Sequence, residues 1–306
     1  MSDVASGKIN DINFENECEE KIKELTNAEN VKLTSSGNNS IFVALNSIKG
    51  EVILPDQGGW HGFKQIAKFL GKEIITIKTD LGLINPTDID EIDISENSGL
   101  IFTSFAGYAA DQDIQSISRY CKNNGIITIE DASAGIGDEK ELLGNCKYSD
   151  IVIASTGQPK IINVGAGGFI ATNEENLFKE NSVPLKLSKT NEIIASGIYE
   201  EIKSVKENLQ HTLNATDYLK KHIPNTIHTK KRGVNLIIKD ENAEQKIWEL
   251  KKQLPIDKSG FINKCPNYNR VKTKAISIEI KNLEHNCLKK EYMDEIIRVF
   301  NNLQQV

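Results

Sequence analysis

The stretch 125–172, GIITIEDASAGIGDEKELLGNCKYSDIVIASTGQPKIINVGAGGFIAT, decides the fold. Two apolar runs in it, Ile126–Ile129 and Ile151–Ala154, read as buried parallel strands, and a third run follows at Gly168–Ala171. Glu130 and Asp131 come directly off the first run and Ser155 off the second. Lys160 stands five residues beyond Ser155, before the glycine-rich GAGG at 165–168. Ligands of open α/β sheets bind outside the carboxyl ends of the strands, so these side chains are expected to converge on one crevice. An acid and a lysine placed in this way suit a carbonyl cofactor: the lysine forms the imine and the acid keeps the ring nitrogen protonated. The stretch therefore reads as a pyridoxal-phosphate site.

Upstream, the pattern of alternating strands and helices agrees. VKLTSSGNNSIFVALNSI (31–48) predicts a strand, a glycine turn and a helix. Ser36, Gly37, Asn38 and Asn39 stand at the helix start, where amide groups and the dipole favour a phosphate, although Ser and Asn are also ordinary caps. EVILP (51–55) is a strand, and Trp60 and His61 open the helix that Gly71 ends. A tryptophan just past that turn either anchors the core or lies flat on a cofactor ring. EIITIKTD, GLIFTSFA and the crossover helix DQDIQSISRYCKNNG complete a strand–helix alternation from 31 to 172, which predicts a mostly parallel sheet.

Beyond Thr172 the character changes. IYEEIKSVKENLQHTLNATDYLKKHI (198–223) predicts one long linking helix. GVNLIIKD and KAISIEIKN, with the helices AEQKIWELKKQL and KKEYMDEIIRVFNNLQQ, predict a small α+β layer. Residues 255–273, PIDKSGFINKCPNYNRVKT, read as an irregular functional loop. The expected division is an N-terminal helix or arm at 1–30, a large α/β domain at 31–190, a linking helix at 191–224 and a small α+β domain at 225–306.

Composition narrows the function. With 306 residues, 26% charged and 39% hydrophobic, the chain has the make-up of a globular protein, and a net charge of −6 gives no reason to expect nucleic acid. No apolar run reaches membrane-spanning length and no leader-like segment opens the chain, so a cytoplasmic protein with no membrane partner is expected. Five scattered cysteines without CxxC spacing suit reduced thiols. The five histidines show no metal spacing, so no metal is expected.

The order SSGNNSIFVAL, VILP followed by Trp60, ITIEDASAG, then S-x4-K and a Gly-Gly strand resembles the DegT/DnrJ/StrS-type aminotransferases, which are fold type I pyridoxal-phosphate enzymes acting mostly on nucleotide-linked keto-sugars. The resemblance covers about residues 30–172 and implies a mostly parallel sheet of the seven-stranded type in an α/β/α sandwich, with a small C-terminal domain. It implies Lys160 as the Schiff-base lysine, Asp131 as the partner of the pyridine nitrogen and Ser155 as a phosphate ligand. It places Gly37, Asn38 and Asn39 in the phosphate turn, puts Trp60 on the cofactor ring, and implies a homodimer. The sequence departs from the family at Ala134, where a His or Gln is usual, and at Ala166, where an acid is usual. The chain is also shorter between the Gly-Gly strand and the long helix.

Three functions fit these residues. They are an aminotransferase moving an amino group between an amino acid and a keto (possibly sugar) substrate, a lyase or β/γ-replacement enzyme on the same scaffold, and a non-catalytic binding protein. An amino-acid donor needs a partner for its carboxylate, and arginine is the favoured one. Of Arg119, Arg232, Arg270 and Arg298, the first and last read as surface charges and Arg232 as part of a solvated run. Arg270 is left as the candidate, with Tyr268 and Lys274 beside it, and His61 is a second candidate contact with substrate.

Overall fold

The computed structural model of the protein describes residues 13–90, 94–254 and 260–303. Residues 1–12 of the expected arm and 255–259 of the expected loop lie outside that range. The central feature is a seven-stranded sheet of β1 (Asn30–Thr34), β2 (Val52–Pro55), β3 (Ile74–Ile77), β4 (Gly99–Thr103), β7 (Ile127–Asp131), β8 (Ile151–Ser155) and β9 (Gly168–Thr172). Its order is β1-β9-β8-β7-β4-β2-β3. The strands from β8 through β3 are parallel, whereas β9 runs antiparallel to both β8 and β1. This reversal follows from the short 156–167 connection, which has no crossover helix to carry the chain back.

Both faces of the sheet are buried, which explains the unbroken apolar runs. Ile151 and Ile153 point into one core, with Ile41, Ala44 and Leu45 of α2 (Gly37–Ser47) and Phe63 of α3 (His61–Phe69). Val152 and Ala154 point into the other, which is filled by α1 (Phe14–Thr26), α4 (Ile114–Asn123), α7 (Glu192–Ile202) and α8 (Val205–His222). Between β9 and α7 the chain forms two short helices, α5 (Glu175–Glu180) and α6 (Ser182–Leu187). The architecture is a three-layer α/β/α sandwich, as the family resemblance implied, around the mostly parallel sheet that the alternation predicted.

The expected single helix over 198–223 is two helices. The chain turns at Lys203–Ser204 and seats the fully buried Val205 against Gly137. α8 then runs from the first core, through Leu209 and Leu213, into a second core with Leu219, and Ile223 joins that core just past the helix end. That second core lies between α9 (Ala243–Gln253), α10 (Lys290–Asn302) and an antiparallel sheet β10-β12-β11 (Leu236–Lys239, Ala275–Ile278, Ile262–Lys264). β11 falls inside the stretch expected to be irregular; with three residues it is too short to show an alternation. No helix among the described residues is long and apolar enough to cross a membrane.

Candidate active site

The carboxyl ends of β7 and β8 and the amino end of β9 meet at one edge of the large sheet, because Ser155 pairs with Gly168 and Thr34 of β1 pairs with the same glycine. α2 therefore starts against the end of β8. A Cβ on Gly37 would fall 2.5 Å from Cβ of Ser155, and one on Gly168 would fall 2.7 Å from the Ala154 carbonyl oxygen. Only glycine permits this approach. Ser36 caps the helix by accepting from the Asn39 amide at 3.2 Å, while the first amides, Gly37 and Asn38, have no intrahelical acceptor.

A cleft of about 380 Å³ opens there, lined among others by Gly37, Asn38, Trp60, Asp131, Ser155 and Lys160. Asp131 Oδ1 accepts from the Ser133 amide at 3.0 Å and from its hydroxyl at 2.5 Å. Oδ2 has no protein partner among the described residues. The Ser133 hydroxyl in turn accepts from the Ser155 amide at 2.8 Å, so one side chain fixes the ends of both strands. Trp60 Nε1 donates to Asn38 Oδ1 at 3.0 Å, which sets the indole at the cleft wall. Neighbouring Glu130 is wholly buried and takes hydrogen bonds from Ser104, Ser149 and the Gly144 amide, so it braces the strand end rather than facing the cleft.

Lys160 Nζ donates to the Tyr108 hydroxyl at 3.0 Å. Burial draws its ammonium down, but the Tyr108 oxygen and Asp131 outweigh it and leave Lys160 above the usual lysine value. Tyr108 sits at φ 64° in the tight turn between β5 (Phe105–Ala106) and β6 (Ala110–Asp111). A left-handed tyrosine costs about 1–3 kcal/mol. Its carbonyl is held by the Val234 and Asn235 amides, which keeps the ring between Lys160, Arg270 and Lys281.

Arg270 lines the cleft and is buried, against the exposure usual for a loop arginine. Glu279 grips it side-on, Nε to Oε1 at 3.0 Å and Nη2 to Oε2 at 2.6 Å, and Nη1 donates to the Asn269 carbonyl at 2.7 Å. Burial alone would raise the Glu279 carboxyl, yet Arg270, Lys281 and Ser277 hold it at about 2. One N–H on each of Nη1 and Nη2 is left by these bonds, enough for a second carboxylate end-on.

Other expected residues are placed elsewhere. His61 lies in a neighbouring cavity of about 430 Å³ with Tyr268, on whose ring it stacks, and reaches the cleft only through its amide bond to Asn269. The Asn39 side chain turns to Ser35, and Lys274 is exposed and paired with Glu241. Arg232 is not part of a solvated run but bridges Asp111 and Asp138, two acids distant in sequence. Sequence reasoning missed Tyr108, Ser133 and Lys281. The last had a signal: in the sequence Ser277, Glu279 and Lys281 alternate with Ile276, Ile278 and Ile280, a polar period in an apolar run, although β12 itself ends at Ile278 and Lys281 lies in the short turn that follows.

Comparison with known proteins meets this geometry. The model of the DegT/DnrJ/EryC1/StrS aminotransferase family matches residues 3–240. The chain belongs to that family. A second model, the MJ1341 family C-terminal domain, matches residues 206–301. No curated protein matches. Among solved structures, a DegT/DnrJ/EryC1/StrS aminotransferase from Brucella abortus is similar with a TM-score of 0.72 at 15% identity, over 99% of this chain and 93% of its own. NtdA from Bacillus subtilis, bound to the cofactor PMP, gives 0.69 at 18%, over 96% and 79%. Serine palmitoyltransferase from Sphingomonas wittichii gives 0.75 at 13%, over 96% and 77%. The fold is that of the fold type I enzymes. As a member of the DegT family the chain is a pyridoxal-phosphate-dependent transferase of the aminotransferase kind, and its cofactor is pyridoxal 5′-phosphate. The cleft fits that group: amides and Ser155 for a phosphate at one end, an acid with one free oxygen, an indole at the wall and a buried amine.

Proposed function

We propose that this family member transfers an amino group from an α-amino acid to a keto substrate through Lys160. The observation that carries the reading is the convergence of Lys160, Asp131 and the glycine-tight start of α2 on one cleft. When bound, pyridoxal phosphate supplies an electron sink for charge left on the substrate carbon. Lys160 would hold the cofactor covalently and would carry a proton to and from the substrate α-carbon as general base and acid. Asp131 Oδ2 would keep the ring nitrogen protonated, the Gly37 and Asn38 amides and Ser155 would hold the phosphate, and Trp60 would cover the ring. Tyr108 orients the Lys160 amine. The free N–H groups of Arg270 hold the donor carboxylate, with Glu279 as the group that positions them. The keto acceptor belongs to the small-molecule class the family uses, a keto-sugar being the leading candidate.

Borohydride reduction of the cofactor-loaded protein followed by peptide mapping tests the centre of this reading. Lys160 is the expected labelled residue, and label on another lysine, or none, removes Lys160 from the role. In the same preparation Asp131→Asn retains the cofactor but loses roughly 10²–10⁴-fold in amino-transfer rate; an unchanged rate would exclude Asp131.

A two-fold homodimer is also part of this reading. Val183, Leu187 and Ile193 are large apolar side chains exposed within one segment, at 63%, 83% and 66%. Apolar surface of this kind is what an isologous contact covers. Four of the five free cysteines are buried and none of the five is paired, as suits a cytoplasmic protein.

A further inference from the structure

Away from the cleft, Glu207 and His211 lie one turn apart on α8, and His285 stands in a short turn at His285–Cys287 before α10. Residues four apart share a helix face, so the carboxylate and the imidazole project together. The three side chains each offer one ligand atom, and these atoms all lie within 4.8 Å of one another. The two imidazole rings have centroids 4.1 Å apart. His211 Nδ1 is 2.5 Å from Nε2 of His285 and 3.3 Å from its Nδ1.

Two ring nitrogens held this close either share a proton or face a common cation. Two nitrogens at about 2.0–2.1 Å from one tetrahedral zinc stand about 3.3 Å apart, the separation of the Nδ1 pair, so the His285 ring need only rotate its nearer Nε2 away for Nδ1 to face a common ion. We propose that Glu207, His211 and His285 form a binding site for a late first-row divalent cation, Zn²⁺ foremost. Two imidazoles and one carboxylate suit Zn²⁺, Ni²⁺ or Cu²⁺, whereas Ca²⁺ and Mg²⁺ require oxygen ligands throughout. Glu207 and His285 are exposed and His211 half-buried, so water completes the coordination. The ion ties α8, which spans both cores, to the turn preceding α10. The histidines are 74 residues apart, which is why their spacing in sequence gave no sign of a site.

Isothermal titration of the EDTA-treated, cofactor-loaded chain with Zn²⁺ tests the proposal independently of turnover. One saturable ion per chain is expected, not competed by Ca²⁺. His211→Ala and His285→Ala each weaken binding at least about tenfold, and Glu207→Gln weakens it less. His222→Ala, an exposed histidine at the end of the same helix, leaves binding unchanged. Circular dichroism confirms that each exposed-site variant is folded. Absence of saturable uptake, or uptake that survives both histidine substitutions, overturns the site. With Co²⁺ in place of Zn²⁺, weak ligand-field bands are expected; intense thiolate charge-transfer absorption would put a cysteine in the shell and overturn the ligand set.

Discussion

Glu279 holds Arg270 by one edge and leaves the other edge to the cleft, so under the proposed reading a substrate carboxylate would meet a guanidinium whose rotamer is already fixed. Arg270→Ala is expected to weaken the half-reaction with α-amino acids at least about tenfold, the scale of one lost charge-assisted pair, while simple amines keep their response. Followed by cofactor absorbance, an equal loss for both kinds of amine would remove Arg270 from carboxylate binding. Lys281 makes a separate prediction. Its side chain is 7% exposed, and burial, with Arg270 and Lys160 nearby, pulls it down to about 8 against the attraction of Glu279. A lysine lowered in the fold is charged in both folded and unfolded chains below about pH 8, where its burial penalty is complete. The penalty fades as pH rises toward the unfolded value of 10.5. Lys281→Met should therefore stabilise the protein at pH 7 by up to about 3 kcal/mol, and the gain should vanish by pH 10.5; urea denaturation at the two pH values checks both halves. Asp131 was legible because it closes a strand-like run, and Lys160 because it follows the next such run at a fixed distance, five residues past Ser155. Tyr108 was not, because its position depends on two amides about 126 residues further along the chain.

At the scale of elements, the site depends on how closely α2 can start against β8. Gly37→Ala would bring a methyl group to 2.5 Å from the Ser155 Cβ, against backbone that cannot yield. The helix start must withdraw, and about tenfold or greater loss of cofactor affinity is expected, with a destabilisation of about 1–3 kcal/mol. Equilibrium dialysis with pyridoxal phosphate and thermal unfolding measure the two effects; unchanged affinity would detach the α2 start from phosphate binding. The parallel strands could be read from residues alone because burial on both faces leaves them uninterrupted apolar runs. The direction of β9 could not, since GFIAT is equally apolar in either sense and only the short connection before it decides. The break in the linking helix was hidden for a related reason. Lys203 and Ser204 are tolerated in a helix, and the turn there follows from seating Val205 against Gly137, a contact between distant parts of the chain.

For the molecule as a whole, the exposed apolar segment 183–193 predicts self-association. Light scattering of the cofactor-loaded protein at micromolar concentration should give twice the chain mass of 34.1 kDa, and Leu187→Lys should shift it toward one chain. A wild-type monomer would contradict the two-fold arrangement. The sheet order carries a different kind of consequence, one of timing. β1 is an edge strand whose only partner among the described strands is β9, Asn30 against Thr172. During synthesis at about 5–20 residues per second, β1 waits roughly 7–28 seconds for the partner that begins to pair with it. Until then its apolar residues Val31 and Leu33 have no sheet to join, and Gly37 has no Gly168 to lie against. The end of the cleft proposed to hold the phosphate is thus assembled from segments made far apart in time, so on that reading the cofactor's seat is completed only after the parallel strands are in place. Loading with pyridoxal phosphate then belongs to the end of the large sheet's assembly, and a nascent chain stalled before residue 168 should emerge unable to hold it.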